Sequence, residues 1–360
     1  MKQPLLLLLL LVLPFAGRAQ PKTIYPTPVE ANFEIKNFAF TSGEKLPVLN
    51  LHYTTVGQPR KDARGRVTNA VVIMHGTTGT GQQFLSELFG GHLFGPGQAL
   101  DAAKYYLILP DAIGHGLSSK PSQGLRMRFP QYTYDDMVTA NHRLLTEHLG
   151  VTRARLVMGT SMGGMETWVW GCRYPDSMDA LMPLASLPVE IGGRNRMLRK
   201  MAIDLIKMDP EWKGGAYTAQ PRTGMTGAIS SLIFMTSSPY QMQKAAPTRL
   251  QAEAVLAKTE ARLAAALDAN DFIYQFDASR DYNPAPHLAN IKALLFAINS
   301  ADDQVNPPEL AILEQEIRKV PKGRYILLPI SDQTTGHGTH SNPAIWGEYL
   351  KELLALSERK

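Results

Sequence analysis

Ser161, an aspartate at position 302 or 303, and a histidine at position 337 or 340 are the residues of this chain whose types could carry out acyl transfer. A serine hydroxyl is a weak nucleophile until a base takes its proton, and a histidine base needs an acid to hold its tautomer. The serine has the most specific surroundings. Gly159-Thr160-Ser161-Met162-Gly163-Gly164 places it between glycines where a buried strand turns sharply into a helix. A turn of that kind strains the serine backbone, requires small neighbours, and points the N–H groups of a helix N-terminus at developing negative charge. Two glycines around a serine also make an ordinary turn, so the elements around the motif must decide its meaning.

Those elements alternate. Residues 154–158 form an apolar run suited to a covered strand, and residues 162–170 continue as a helix. Upstream, residues 33–40 and 49–56 read as an antiparallel pair joined by a polar turn, and residues 70–74 as a buried strand leading into His75-Gly76-Thr77. Residues 105–109 form a further strand, and Thr133 with Asp136 makes a capping box for a helix. Downstream, strands are expected at 180–185, 293–298 and 325–329, and helices at 309–320 and after Asn342-Pro343. About a hundred residues between 187 and 290, with helical stretches at 196–207 and 250–267, are too many for a simple crossover and read as a helical cap. The expected fold class is α/β: a mostly parallel sheet with helices on both faces. Its domains run 20–186 for the first part of the core, 187–290 for the cap and 291–360 for the second part.

In such a sheet functional loops gather at the carboxyl ends of the strands. The strand at 293–298 empties into Asp302-Asp303, and the strand at 325–329 leads to His337, so the order is Ser, Asp, His with each member just after a strand. Asp303 is preferred to Asp302 as the acid; the neighbour is expected to cap the helix near Pro307 or to face solvent. His337, in Gly336-His337-Gly338, is preferred to His340 because small neighbours permit close approach to the serine. The backbone N–H groups of Thr77 and Met162 are assigned to an oxyanion hole. His75 and His115 read as turn-fixing residues, Trp168 and Trp170 as core, and Cys172 as an inert helix residue. No cluster has metal-ligand spacing, and the chemistry calls for no cofactor.

With these residues assigned, the chain resembles the α/β-hydrolases, and within them the homoserine O-acetyltransferase group. The likeness is carried by Gly159 through Met165, Tyr174-Pro175-Asp176, Phe129-Pro130, Asp209-Pro210 with Gly214-Gly215-Ala216-Tyr217, and Phe276-Asp277-Ala278-Ser279. It implies an α/β-hydrolase fold with a triad of Ser161, Asp303 and His337. The group's cap arginine, which helps hold an amino-acid carboxylate, has no counterpart in Gly224 through Ser231. A pocket without that cation should lose preference for a zwitterionic acceptor.

Composition narrows the class further. The 360 residues are 44% hydrophobic with a formal net charge of +5, and the basic residues form no long tract, so nucleic-acid binding is not expected. Lys2, the apolar run at 5–13 and Gly17-Arg18-Ala19 read as a signal peptide over residues 1–19, placing the enzyme in the periplasm or outside the cell without stable membrane insertion. The function expected is therefore an exported serine hydrolase cleaving an ester, or an amide, of a small molecule through an acyl-enzyme. The alternative is an O-acyltransferase using the same triad, and behind it a non-catalytic binding protein on the same fold. Oligomeric state is not legible.

Overall fold

The computed structural model describes residues 24–358. The leader reading of residues 1–19 lies outside the described residues. Eight strands make one sheet in the order β1-β2-β4-β3-β5-β6-β7-β8. They are β1 (Val29–Ala39), β2 (Lys45–Val56), β3 (Ala70–Met74), β4 (Tyr106–Pro110), β5 (Leu156–Thr160), β6 (Ala180–Leu184), β7 (Leu294–Ser300) and β8 (Gly323–Leu328). β1 and β2 pair antiparallel, as do β2 and β4, while every pair from β4 across to β8 is parallel. β3, β4, β5 and β6 are buried along their whole lengths. That explains why they read as unbroken apolar runs rather than alternating ones.

The period of two still governs which layer each side chain enters. Val72, Met74 and Val157 face a core shared with α2 (Tyr134–Arg143) and α3 (Met162–Arg173), where Trp168 and Trp170 are fully buried. Val71, Ile73, Leu156 and Met158 face the opposite core, closed by the short α1 (Gly90–Leu93) and by Trp346, Leu350 and Leu353 of the C-terminal helix. The capping box of α2 forms as expected, with Thr133 N–H donating to Asp136 Oδ2 at 2.9 Å. The helix then loosens into a single π turn, Leu144–His148.

Five helices lie between β6 and β7: α4 (Gly193–Met208), α5 (Arg222–Thr236), α6 (Pro239–Ala245), α7 (Arg249–Ala266) and α8 (Ala269–Asp277). They have a core of their own, built on Ile203, Ile206, Met225, Ile229, Phe272 and Phe276. Asp271 ties them to the sheet side through Ser122, accepting from its N–H at 2.8 Å and its hydroxyl at 2.7 Å. The helix expected over 309–320 is broken. Only α9 (Ile312–Glu316) is α-helical, because Ala311 takes a left-handed φ of 52° and separates it from the preceding turn. The last helix, α10 (Pro343–Leu356), begins where expected, with the Asn342 side chain accepting from Ala344 N–H.

Candidate active site

Ser161 stands between β5 and α3 with φ 55° and ψ −111°, outside the regions that L-residues normally occupy. Crowding around it explains the glycines. A methyl on Gly159 would strike the Gly163 backbone, and one on Gly163 would strike the Met74 carbonyl. The bend is pinned by Ser161 N–H donating to Leu184 O and Gly163 N–H donating to His75 O, each at 2.9 Å. The strain is thus held from both sides of β5, by a bond to the end of β6 and one to the residue that follows β3.

Ser161 Oγ–H points to His337 Nε2 at 2.8 Å, and His337 Nδ1–H to Asp303 Oδ2 at 2.9 Å. Asp303, being an acceptor, sets that tautomer. Asp303 itself is fully buried. Burial pushes its pKa up, but the His337 charge and hydrogen bonds from His337, Asn306 and Val305 outweigh it and hold the carboxyl below its ordinary value. The sequence reading did not name Asn306, whose amide donates to Asp303 Oδ2 at 3.0 Å and to Ala185 O at 2.9 Å.

Asp302 neither caps a helix nor faces solvent, contrary to expectation. It is buried, accepts from Ser300 Oγ at 2.5 Å, and accepts from Gly336 N–H at 2.9 Å. It therefore holds the backbone of the residue before His337. His340 also lies inward, its ring 5.3 Å from that of His337, and burial lowers its pKa to about 3, so it is neutral.

The turn after β3 packs against the serine: a methyl on Gly76 would stand 3.3 Å from Ser161 Cβ. Neither Thr77 N–H nor Met162 N–H donates to a protein acceptor among the described residues. Thr77 Oγ1 is buried without a partner as well, a further donor beside the serine that the sequence reading passed over. His75 and His115 fix the loops behind this turn. His75 Nε2 accepts from Ala112 N–H at 3.0 Å, and His115 Nδ1 bonds Ile113 O at 2.9 Å. Burial lowers both pKa values and keeps the rings neutral.

A cavity of about 420 Å³ opens above Ser161 and His337. Its floor is the β3 turn with Phe84 and Phe89; its roof is Leu198, Leu232, Ile233, Thr236, Leu263 and Phe276 from the inserted helices. The stretch Gly224 through Ser231 supplies no cation, as read from the sequence. A cation nevertheless lines the cavity, because Arg199 of α4 reaches it together with Asn195. The sequence reading weighed only Gly224 through Ser231, and Arg199 stands one helix earlier, on α4, where no spacing in the sequence displays it. Among the described residues, no aspartate or glutamate lines the cavity.

Behind the serine, Glu166 of α3 is fully buried, and that burial raises its pKa to about 8 despite a hydrogen bond from Asn141. A carboxyl whose pKa rises on folding favours the folded chain fully below its ordinary value of 4.5 and loses that contribution as pH climbs to about 8. Glu166→Gln should therefore gain stability relative to the parent between pH 5 and 8, with a slope of at most about 1.4 kcal/mol per pH unit. Urea midpoints of both proteins across that range check it; parallel curves would show that Glu166 does not titrate. Cys172, the single cysteine, is inert by the same physics, since burial pushes its thiol up to about 12.

The alpha/beta hydrolase fold family matches residues 69–337. Over 308 residues, 85% of this chain and 91% of the relative, the sequence is 30% identical to a probable acyltransferase of Methanothermobacter thermautotrophicus. It is 31% identical over 267 residues to a homoserine O-acetyltransferase of Moorella thermoacetica, covering 65% of this chain and 69% of that one. Among solved structures, an acetylester hydrolase from Corynebacterium glutamicum superposes with a TM-score of 0.81 at 23% identity, covering 91% of this chain and 96% of that one.

Proposed function

The chain belongs to the α/β-hydrolase superfamily, within its homoserine O-acetyltransferase-like group, and from that premise we propose that it is a serine hydrolase that cleaves an ester of a small molecule through an acyl-enzyme. The observation that carries this reading is the continuous relay from Ser161 through His337 to Asp303 at the floor of a covered cavity. His337 takes the Ser161 proton as Oγ attacks the ester carbonyl. The tetrahedral oxyanion is met by the free N–H groups of Thr77 and Met162. His337 then gives its proton to the departing alkoxide, and Asp303 stabilises the imidazolium formed in between. In the second half a water, deprotonated by His337, attacks the acyl carbonyl and releases Ser161.

A second reading, transfer of the acyl group to an alcohol, is favoured by the names of the sequence relatives. The chemistry up to the acyl-enzyme is common to both. Against an amino-acid acceptor stands the lining of the cavity, which offers a guanidinium but no carboxylate to pair with an ammonium group. Water as acceptor needs neither. The sequence of residues 1–19 supports an exported enzyme, which would act away from cytoplasmic acyl donors.

The test is a panel of acyl esters assayed with the purified protein, with and without alcohol acceptors including homoserine. Hydrolysis at a rate unaffected by the acceptors is expected. Acyl transfer to homoserine far faster than hydrolysis would replace this reading with the second.

A further inference from the structure

One imidazole beside the relay takes no part in it. His337 and His340 sit three residues apart in the tight 3-10 turn Gly336–Ser341, a spacing that places both side chains on one face. Both line the cavity over Ser161. Their rings meet edge to face, with centres 5.3 Å apart and planes at 84°. The His340 backbone is fixed, since its carbonyl accepts from Trp346 Nε1 at 3.2 Å. Its Nδ1 lies 3.0 Å from Ser341 Oγ, and the ring also donates to the residue's own carbonyl, which only Nδ1 can reach. That acceptor holds the proton on Nδ1 and leaves a lone pair on Nε2. Nε2 bonds no protein group among the described residues, and unlike the equivalent atom of His115 it is not sealed inside the protein. A neutral acceptor therefore faces the same space as the catalytic base.

The second half-reaction gives that acceptor a use. Once the acyl-enzyme has formed, Ser161 Oγ carries no proton, and His337 Nε2 is free to bond the incoming nucleophile. Water brings two hydrogens. One must point to His337, which takes it; the other, left unbonded in a covered cavity, would lose the partner it had in bulk water. Two hydrogen bonds of about 2.8 Å each span at most about 5.6 Å, and the ring centres lie 5.3 Å apart, so a single water fits between both imidazoles. We propose that His340 Nε2 holds the hydrolytic water by its second hydrogen and so selects water over an alcohol as acyl acceptor. The water oxygen attacks the acyl carbon while its first proton moves to His337 Nε2. As the tetrahedral intermediate collapses, the bond from carbon to Ser161 Oγ breaks, the same proton passes to Oγ, and the second hydrogen leaves with the carboxylic acid. An alcohol has carbon where water has that second hydrogen. It makes no bond to His340 and presses its carbon against the ring. The inference rests on the hydrolase reading and adds the residue that decides between hydrolysis and transfer.

Stopped-flow turnover of p-nitrophenyl acetate by the full-length protein separates acylation, seen as the burst of nitrophenolate, from deacylation, seen as the steady rate. Adding methanol gives the partition of the acyl group between acid and methyl ester, which reports the second step alone even where acylation is the slower one. His340→Phe keeps an aromatic ring against His337 and removes the acceptor, whereas His340→Gln keeps an acceptor. In His340→Phe acylation should stay within about twofold of the parent while deacylation by water falls about 10-fold, the order of one lost hydrogen bond. The ratio of methyl ester to acid should rise by a similar factor, and His340→Gln should recover part of the preference for water. Equal losses in acylation and deacylation, or an unchanged partition, would reduce His340 to a packing residue and overturn the proposal while leaving the hydrolase reading intact. If His340→Phe fails to fold, the parent decides: an acyl-enzyme that captures methanol several-fold faster per molecule than water has no water-selective site. Absence of turnover on every ester, or capture by homoserine far faster than hydrolysis, would instead remove the hydrolase reading and this inference with it.

Discussion

Replacing Ser161 with alanine is expected to lower kcat for ester cleavage by about a millionfold, with KM little changed. The expectation follows from where the covalent bond forms. Without Oγ there is no acyl-enzyme, and His337 has only a water to activate across a gap shaped for a side chain. What survives is the contribution of the Thr77 and Met162 N–H groups, which still meet an oxyanion and leave a small residual rate above the uncatalysed one. The folded structure should persist. Ser161 Oγ supports no backbone group, and its N–H and C=O, which bond Leu184 and Met165, are unchanged by the substitution. A fluorophosphonate probe provides the direct check: the parent becomes labelled at Ser161, and Ser161→Ala becomes neither labelled nor active. An unlabelled parent, or a variant retaining more than a few per cent of the rate, would show that the serine is not the nucleophile.

Ser161 was legible because local and global demands coincide at the turn. A strand buried on both faces must be apolar throughout, and the bend into α3 tolerates no methyl at Gly159 or Gly163. The same physics made β3, β4, β6 and β7 readable. The inserted helices were less so. α5 contains Gly224, Thr226 and Gly227, poor helix formers. It is helical because those small residues let it press against α4, where a methyl on Gly224 would meet the Leu205 carbonyl. α8 offered a sharper signal that was passed over: Asp268 caps it, with Phe272 and Phe276 one turn apart on its buried face.

Arg199 was passed over and Asp302 misjudged for a common reason. Their surroundings are made by chain segments far away in sequence: Ser279 lies 80 residues from Arg199, and Gly336 lies 34 from Asp302. Local pattern records which face of an element is apolar. It does not record which polar groups a distant loop brings to that face. An arginine on an amphipathic helix reads as solvated unless the cap is folded over it, and a second aspartate beside a catalytic one reads as spare. The broken helix before β8 belongs here too, since nothing in Pro308-Glu309-Leu310-Ala311 announces a left-handed alanine.

The pair Asp302 and Asp303 yields the second large effect. Asp303→Asn is expected to reduce kcat by about ten-thousandfold, and Asp302→Asn by less than about tenfold. Asp303 uses both oxygens as acceptors. Oδ1 takes Val305 N–H at 2.8 Å and Asn306 N–H at 3.3 Å, while Oδ2 takes the Asn306 amide and His337 Nδ1–H. An asparagine must keep its oxygen toward the two backbone donors, so its NH2 falls where Oδ2 stood. That group faces two donors and repels both. His337 relieves the conflict by moving its proton from Nδ1 to Nε2, and an Nε2 that already carries a proton cannot take one from Ser161. Asp302 presents a different case. Its Oδ2 receives only the Gly336 N–H, a bond an amide oxygen can keep, so the loss is confined to the contact with Ser300 Oγ. Nitrogen-15 shifts of the His337 ring separate this account from a merely structural one: the tautomer should invert in Asp303→Asn and stay as in the parent in Asp302→Asn. Equal losses in the two variants, or a larger one at Asp302, would transfer the orienting role from Asp303 to its neighbour.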